Sequence, residues 1–222
     1  SFSQYVVSTE AGSGLAGHAD GASNLAQFNR PVGIAVDDNQ NLIIADFLNH
    51  CIRRIDTSGV VSTIAGNPGV SGFANGNGSA ARFFRPGGVA VDQFGNIFVT
   101  DNANHRIRKI DPRGNVTTIA GSGTPGYIDG LANSARFNIP RDLAVDRSNG
   151  SLYIVDRNNH VIRELDSNGI VSTYAGDGIA GYVDSSLSQS SFDFPGGIAI
   201  DQNGLVYVAD QFNHAIRVIK PR

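Results

Sequence analysis

One pattern, written four times, limits what this chain can become. The stretch DNANHRIRKIDPRGNVTTIAG begins at Asp101, and close variants begin at Asp46, Asp156 and Asp210. Their histidines, His50, His105, His160 and His214, lie 55, 55 and 54 residues apart, and Pro31, Pro86, Pro140 and Pro195 keep the same period. A catalytic centre is built once, from unlike parts, whereas a feature copied at fixed period belongs to the scaffold. The four histidines therefore read as architecture. So do Asp46, Asp101, Asp156 and Asp210, each with an arginine seven residues on (Arg53, Arg108, Arg163, Arg217) as its natural partner.

In the second copy, short apolar-alternating runs at 87–92, 96–101, 106–111 and 115–121 are separated by QFG, NANH and PRG. Four strands of about five residues joined by tight turns form an antiparallel meander. A sheet this small cannot bury both faces alone, but similar sheets stacked around an axis can, which gives a β-propeller. Ala35, Ala90, Ala144 and Ala199 place a small residue on the first strand of each copy, as crowding near an axis selects. The Gly-rich connector after each fourth strand ends in Phe28, Phe83, Phe137 or Phe192, which reads as a plug between blades. The connector at 130–137 is expected to make one or two helical turns.

The reading is an all-β chain, one domain over residues 1–222, a β-propeller of four four-stranded antiparallel blades. Blade 1 spans 30–65, blade 2 85–120, blade 3 140–175, and blade 4 195–219 plus a strand at 5–10. The last assignment rests on Val6-Val7-Ser8-Thr9, which matches Val60-Val61-Ser62-Thr63 of a fourth strand, while the last copy stops after its third. The N-terminal strand is thus expected to close the last blade and remove the exposed edge.

Seventeen basic and 20 acidic residues leave a net charge of −3, which argues against a broad nucleic-acid surface. The single cysteine, Cys51, excludes an internal disulfide, and its counterparts Arg106, Val161 and Ala215 mark a variable strand position. No apolar run is long enough to span a bilayer. No methionine occurs, which reads as a processed or trimmed start. Three sequons, at Asn77, Asn115 and Asn149, matter only in a secretory setting. The expected location leans extracellular or periplasmic.

The repeat resembles the NHL family in its Asn-His pairs at 49–50, 104–105, 159–160 and 213–214, its downstream Ile-Arg pairs, and PxGIAVD upstream. The third letter of the motif is not kept in place. The resemblance covers essentially the whole chain and implies a β-propeller, with fewer blades than members commonly have. Three assemblies stay open: a ring closed by the chain's own first strand, part of a larger propeller, and a subunit that completes a ring with a partner. Propellers of this kind serve as protein- or RNA-binding platforms, as sensor domains, and as scaffolds for lyases and lactonases, so the site must decide.

The informative residues are those that break the repeat. Arg141-Asp142 stands where the other copies have Val32-Gly33, Gly87-Gly88 and Gly196-Gly197. The loops after the second strands differ too, with Phe47-Leu48, Arg157-Asn158 and Gln211-Phe212. Asp142, Arg141, Phe47, Leu48, Arg157 and Phe212 are the expected recognition face, with Asp142 at its polar centre. The expected function is a non-catalytic interaction or assembly module for a protein or carbohydrate ligand, with self-association open. No catalytic or metal-binding residue is assigned and no cofactor is expected, though the axis leaves room for a single cation. The alternatives are a metal-dependent lactonase or lyase and an RNA-binding domain. Asp20, Asp129 and Asp184, with Asn75 in the fourth place, offer one side-chain oxygen donor group per loop, too few for calcium.

Overall fold

The computed structural model describes residues 5–220. Blade 1 contains β1 (Gly21–Ala22), β2 (Pro31–Val36), β3 (Leu42–Asp46), β4 (Cys51–Ile55) and β5 (Val60–Ala65). Blade 2 contains β6 (Gly76–Asn77), β7 (Pro86–Val91), β8 (Ile97–Asp101), β9 (Arg106–Ile110) and β10 (Asn115–Ala120). Blade 3 contains β11 (Gly130–Leu131), β12 (Pro140–Val145), β13 (Leu152–Asp156), β14 (Val161–Leu165) and β15 (Ile170–Ala175). Blade 4 contains β16 (Gly197–Ile200), β17 (Val206–Asp210) and β18 (Ala215–Ile219). Each sheet is an antiparallel meander, and β2, β7, β12 and β16 stand side by side as the innermost strands. The chain is a four-bladed β-propeller.

Alternation along each strand feeds two interfaces at once. Val89, Val91, Ile97 and Val99 face blade 1, where they meet Ile43, Ala45 and Ile52. Ala90, Phe98 and Ile107 face blade 3, where they meet Leu143, Val145 and Ile154. Phe83, Phe137 and Phe192 each plug the seam between consecutive blades and are buried. Each such side chain contributes roughly 1.5–3 kcal/mol of burial. Cys51 is enclosed in this packing, and burial pushes its thiol up to about 12, so it is inert at neutral pH.

The segment at 130–137 makes one turn of the kind expected, with the N–H groups of Ser134 and Ala135 both donated to Leu131 O. The connectors also hold a pairing the sequence did not announce: Gly130–Leu131 pairs with β15, and β1 and β6 pair in the same way with β5 and β10. Each of these three connectors thereby covers the outer edge of the blade it enters and gives the edge backbone groups partners.

The N-terminal closure is not found. Residues 5–10 pair with no strand and are exposed, and blade 4 has three strands with the outer edge of β18 bare. The reason is visible next to it. Residues 12–28 are bonded to one another and packed on the outer flank of blade 1, through Gly12 N–H to Ser23 O and Ser13 N–H to Ala26 O. That anchor holds residues 5–10 at blade 1's flank, away from β18. Among the described residues no helix is long and apolar enough to cross a membrane.

Candidate functional site

The repeated residues form a buried strut in every blade. The Asp46 carboxylate accepts from Asn29 N–H at 2.8 Å, from the Asn49 amide at 2.8 Å and from Arg53 at 2.9 Å. Arg53 also donates to the Ala19 and Gln27 carbonyls and to Asp20. Asp101–Arg108, Asp156–Arg163 and Asp210–Arg217 repeat the pairing at 2.7–2.8 Å. Burial pushes the Asp156 carboxyl up to about 6, against the pull of Asn138 N–H, Arg163 and Asn159, so it is ionised at neutral pH. Asp20, Asp129 and Asp184 are the second carboxylates for Arg53, Arg163 and Arg217. These aspartates are strut members, which explains their repetition.

The histidines are interblade ties. His50, His105, His160 and His214 all adopt left-handed backbone, with φ between 52° and 58°, where the loop turns into the third strand. The Nδ1 atoms of His50, His105 and His160 accept the backbone N–H of Arg85, Ile139 and Phe194 in the following blade, at 3.1–3.2 Å. Acceptance at Nδ1 requires the neutral tautomer with its proton on Nε2. Burial, reinforced by Arg85 at His50 and by Arg106 at His105, lowers the proton affinity of both rings.

The loops following β3, β8, β13 and β17 share one face with the connections into β2, β7, β12 and β16, to which they are hydrogen bonded. On this face the structure brings Phe47 and Arg141 together, the Arg141 guanidinium carbon lying 5.9 Å from the ring centre. Arg30 and Arg85 also lie 5.9 Å from the same ring. The sequence reading missed these two. The signal for them was their place just before the repeated proline. The ring's negative faces attract each of these three cations, while the cations repel one another directly. Arg157 lies 5.8 Å from the Phe212 ring, donates to Gln211 Oε1 at 2.7 Å and stands near Phe194. Leu48 sits beside Phe47, half-buried, with its N–H donated to Asn29 O. Among the described residues none of Arg30, Arg85, Arg141 and Arg157 has a carboxylate within salt-bridge distance.

Asp142 lies lower, on a recess of about 240 Å³ at the axis, lined also by Val32, Gly33, Gly88 and Gly196. Its carboxylate accepts from Leu143 N–H at 2.9 Å and from Ile198 N–H of blade 4 at 3.1 Å. It ties the inner strands of blades 3 and 4. Burial raises its proton affinity, partly offset by those two N–H groups and by Arg141. The neighbouring glycines are required by close approach: a Cβ on Gly33 would collide with the Gly87 carbonyl, and one on Gly88 with Asp142 itself. Asp142 is tolerated because the next position, Gly197, leaves space for its oxygens. Among the described residues no three His, Cys, Asp or Glu side chains converge as a metal site.

The NHL repeat pattern matches residues 28–55, 83–110, 137–164 and 192–219, one match in each of the four copies. The chicken NHL repeat-containing protein 2 is 27% identical over 91% of this chain and 40% of its own length. Among solved structures, an auxiliary nutrient binding protein from Bacteroides thetaiotaomicron superposes with a TM-score of 0.67 at 22% identity, over 85% of this chain and 47% of that one. A gluconolactonase from Xanthomonas campestris superposes at 0.64 and 16% identity, over 88% of this chain and 60% of that one. The chain thus spans 40–60% of the length of these three proteins, and at these identities the structural likeness concerns the fold. With its four matched repeats and their shared struts, the chain belongs to the NHL-repeat β-propeller family.

Proposed function

We propose that this chain is a non-catalytic interaction module that docks an acidic protein segment on the loop face around Phe47. The observation that carries the reading is the group of four arginines, Arg30, Arg85, Arg141 and Arg157, which among the described residues have no carboxylate partner, on a chain of net charge −3. Cations left unpaired beside exposed aromatic surface are ready to receive carboxylates and rings from a partner. Phe212, 56% exposed, and the half-buried Leu48 and Phe47 supply the apolar part. A lactonase-type reading finds less support. Its chemistry needs several unlike ligands on one ion, and the carboxylate at the axis, Asp142, is engaged by two backbone N–H groups. The cationic group is compact, too short to track a nucleic-acid backbone.

Fluorescence anisotropy with a labelled peptide rich in Asp, Glu and Tyr tests the proposal. Binding should be saturable and should weaken at least tenfold (about 1.4 kcal/mol) in Arg85→Ala/Arg141→Ala, with unchanged melting. No binding to the peptide, together with salt-sensitive binding to oligouridylate, would replace it with the RNA-binding reading.

A further inference from the structure

Blade 4 holds a slot shaped for a strand. Between β18 and the connector preceding it lies an open cleft of about 440 Å³, lined by Tyr182, Asp184, Leu187, Ile216, Arg217 and Val218 among others. In blades 1 and 3 the corresponding space is filled by β5 and β15. There Thr63 donates its N–H to Asp20 and Thr173 donates its N–H to Asp129, each at 3.0 Å. Asp184 is the equivalent acceptor in blade 4. Among the described residues no strand reaches it, and its side chain is 84% exposed against 46% and 47% for Asp20 and Asp129.

The chain also carries the sequence of an outer strand without a sheet to hold it. Val6-Val7-Ser8-Thr9 repeats the sequence Val60-Val61-Ser62-Thr63 of β5 and is exposed along its length. It leads into the connector that lies on blade 1's outer flank as 66–83 lies between blades 1 and 2. This segment therefore stands where the outer strand of a blade ahead of blade 1 belongs. The two flanks are the unmated halves of the interface made three times inside the molecule. Ile216 is 74% exposed although its counterparts Ile52, Ile107 and Ile162 are fully buried. Ile34 is exposed although Val89 and Leu143 are buried. Among the described residues His214 Nδ1 accepts no N–H from a following blade, and Arg30 N–H finds no histidine.

We infer that two copies of this chain join head to tail, blade 4 of one against blade 1 of the next, with residues 6–9 of the second inserted beside β18 of the first. Ser8 then pairs with Val218 and Thr9 with Arg217, as Ser62 pairs with Arg54 and Thr63 with Arg53. Thr9 caps Asp184, and His214 accepts the N–H of Arg30. A second copy is favoured over the chain's own strand because residues 12–28 are fixed to blade 1's flank and both flanks stand open. The contact is heterologous, so it closes into a ring or propagates according to its rotation.

Light scattering on the unmodified chain should give at least twice the monomer mass, and deletion of residues 1–10 should return it to monomer. Ser8→Cys and Val218→Cys, made separately and mixed, should give a covalent dimer with a short bismaleimide; Cys51 is buried and does not compete. Monomer mass with crosslinking confined to a single chain carrying both cysteines would show closure by the chain's own strand. Monomer mass without crosslinking would show that the slot takes no copy of this segment. Either result overturns the proposal.

Discussion

The three internal blade junctions and the two outer flanks are made of the same residues, yet they differ in almost every physical respect. At a junction, an isoleucine from the third strand, a plugging Phe and a histidine tie converge, as with Ile107, Phe137 and His105. At the flanks the counterparts are Ile216, exposed, Phe28, half-buried, and His214, untied. The repeat sequence thus encodes half of an interface per blade face, and stability arises only where two halves meet.

The largest expected effect tests this directly. Ile107→Ala, in a junction, should cost about 2–5 kcal/mol, while Ile216→Ala in dilute protein should stay within about 0.5 kcal/mol. Urea unfolding of both variants measures the gap. An Ile216→Ala cost that approaches that of Ile107→Ala as protein concentration rises would show the flank covered by another copy. Phe137→Ala against Phe28→Ala should repeat the contrast, at about 3–5 kcal/mol for the buried ring and clearly less for the half-buried one.

Asp142 gives the next effect. Its Gly counterparts suggest from sequence that Asp142→Gly restores the repeat and keeps or raises stability. The structure reverses that expectation, because the carboxylate accepts two backbone N–H groups that Gly would leave without it. A loss of about 1–3 kcal/mol should follow. Calorimetry showing no change would mean water replaces the carboxylate at the axis.

The histidine ties make the same comparison in pH. Unfolded histidine titrates near 6.5, and the folded values of His50 and His105 lie lower. Between these values the unfolded chain binds protons that the folded chain refuses. Their contribution is therefore full above about 6.5 and is lost as pH falls through the folded values. Asn tolerates left-handed backbone but does not titrate. The His50→Asn/His105→Asn variant should be less stable by about 1–2 kcal/mol at neutral pH. It should also lose less melting temperature than the parent between about pH 7.5 and 5.5. In dilute protein His214→Asn should leave the stability at neutral pH unchanged, because among the described residues no following blade donates an N–H to its ring.

What the sequence made legible follows from what repeats. Strand positions, the plugging Phe residues, the Asp–Arg pairs and the histidines' structural role all follow from period and alternation, because identical residues in identical blades meet identical surroundings. The connector strands did not follow, since two residues pairing with an edge leave no alternation to read. Asp142's role was hidden for a different reason: its partner Ile198 is 56 residues away and acts through backbone. Arg30 and Arg85 were hidden by drift, the same position being Ile139 and Phe194 in the other copies. Their gathering around Phe47 exists only once the blades are placed around the axis.

The smallest expected effect concerns the one strut that departs from the others. In blade 2 the second carboxylate is replaced by Asn75, whose oxygen accepts from Arg108 Nη2 at 2.9 Å. In the other blades the arginine Nε also donates to Asp20, Asp129 or Asp184, at 3.1 Å. Arg108 Nε is buried and among the described residues has no partner. Burial lowers the proton affinity of Arg108, and Asp101 offsets it only in part. Burial also pulls Arg217 down, but Asp210 and Asp184 together hold it above the usual arginine range. Asn75→Asp should restore the missing acceptor and give Arg108 the second carboxylate that its counterparts have, raising stability by about 1 kcal/mol. The gain is small because the new carboxylate is partly exposed and screened, as its counterparts are. Paired urea melts of the parent and Asn75→Asp measure it. A loss instead of a gain would mean that the Asn75 amide makes a contact worth more than the second ion pair, and that blade 2 is tuned differently from its neighbours.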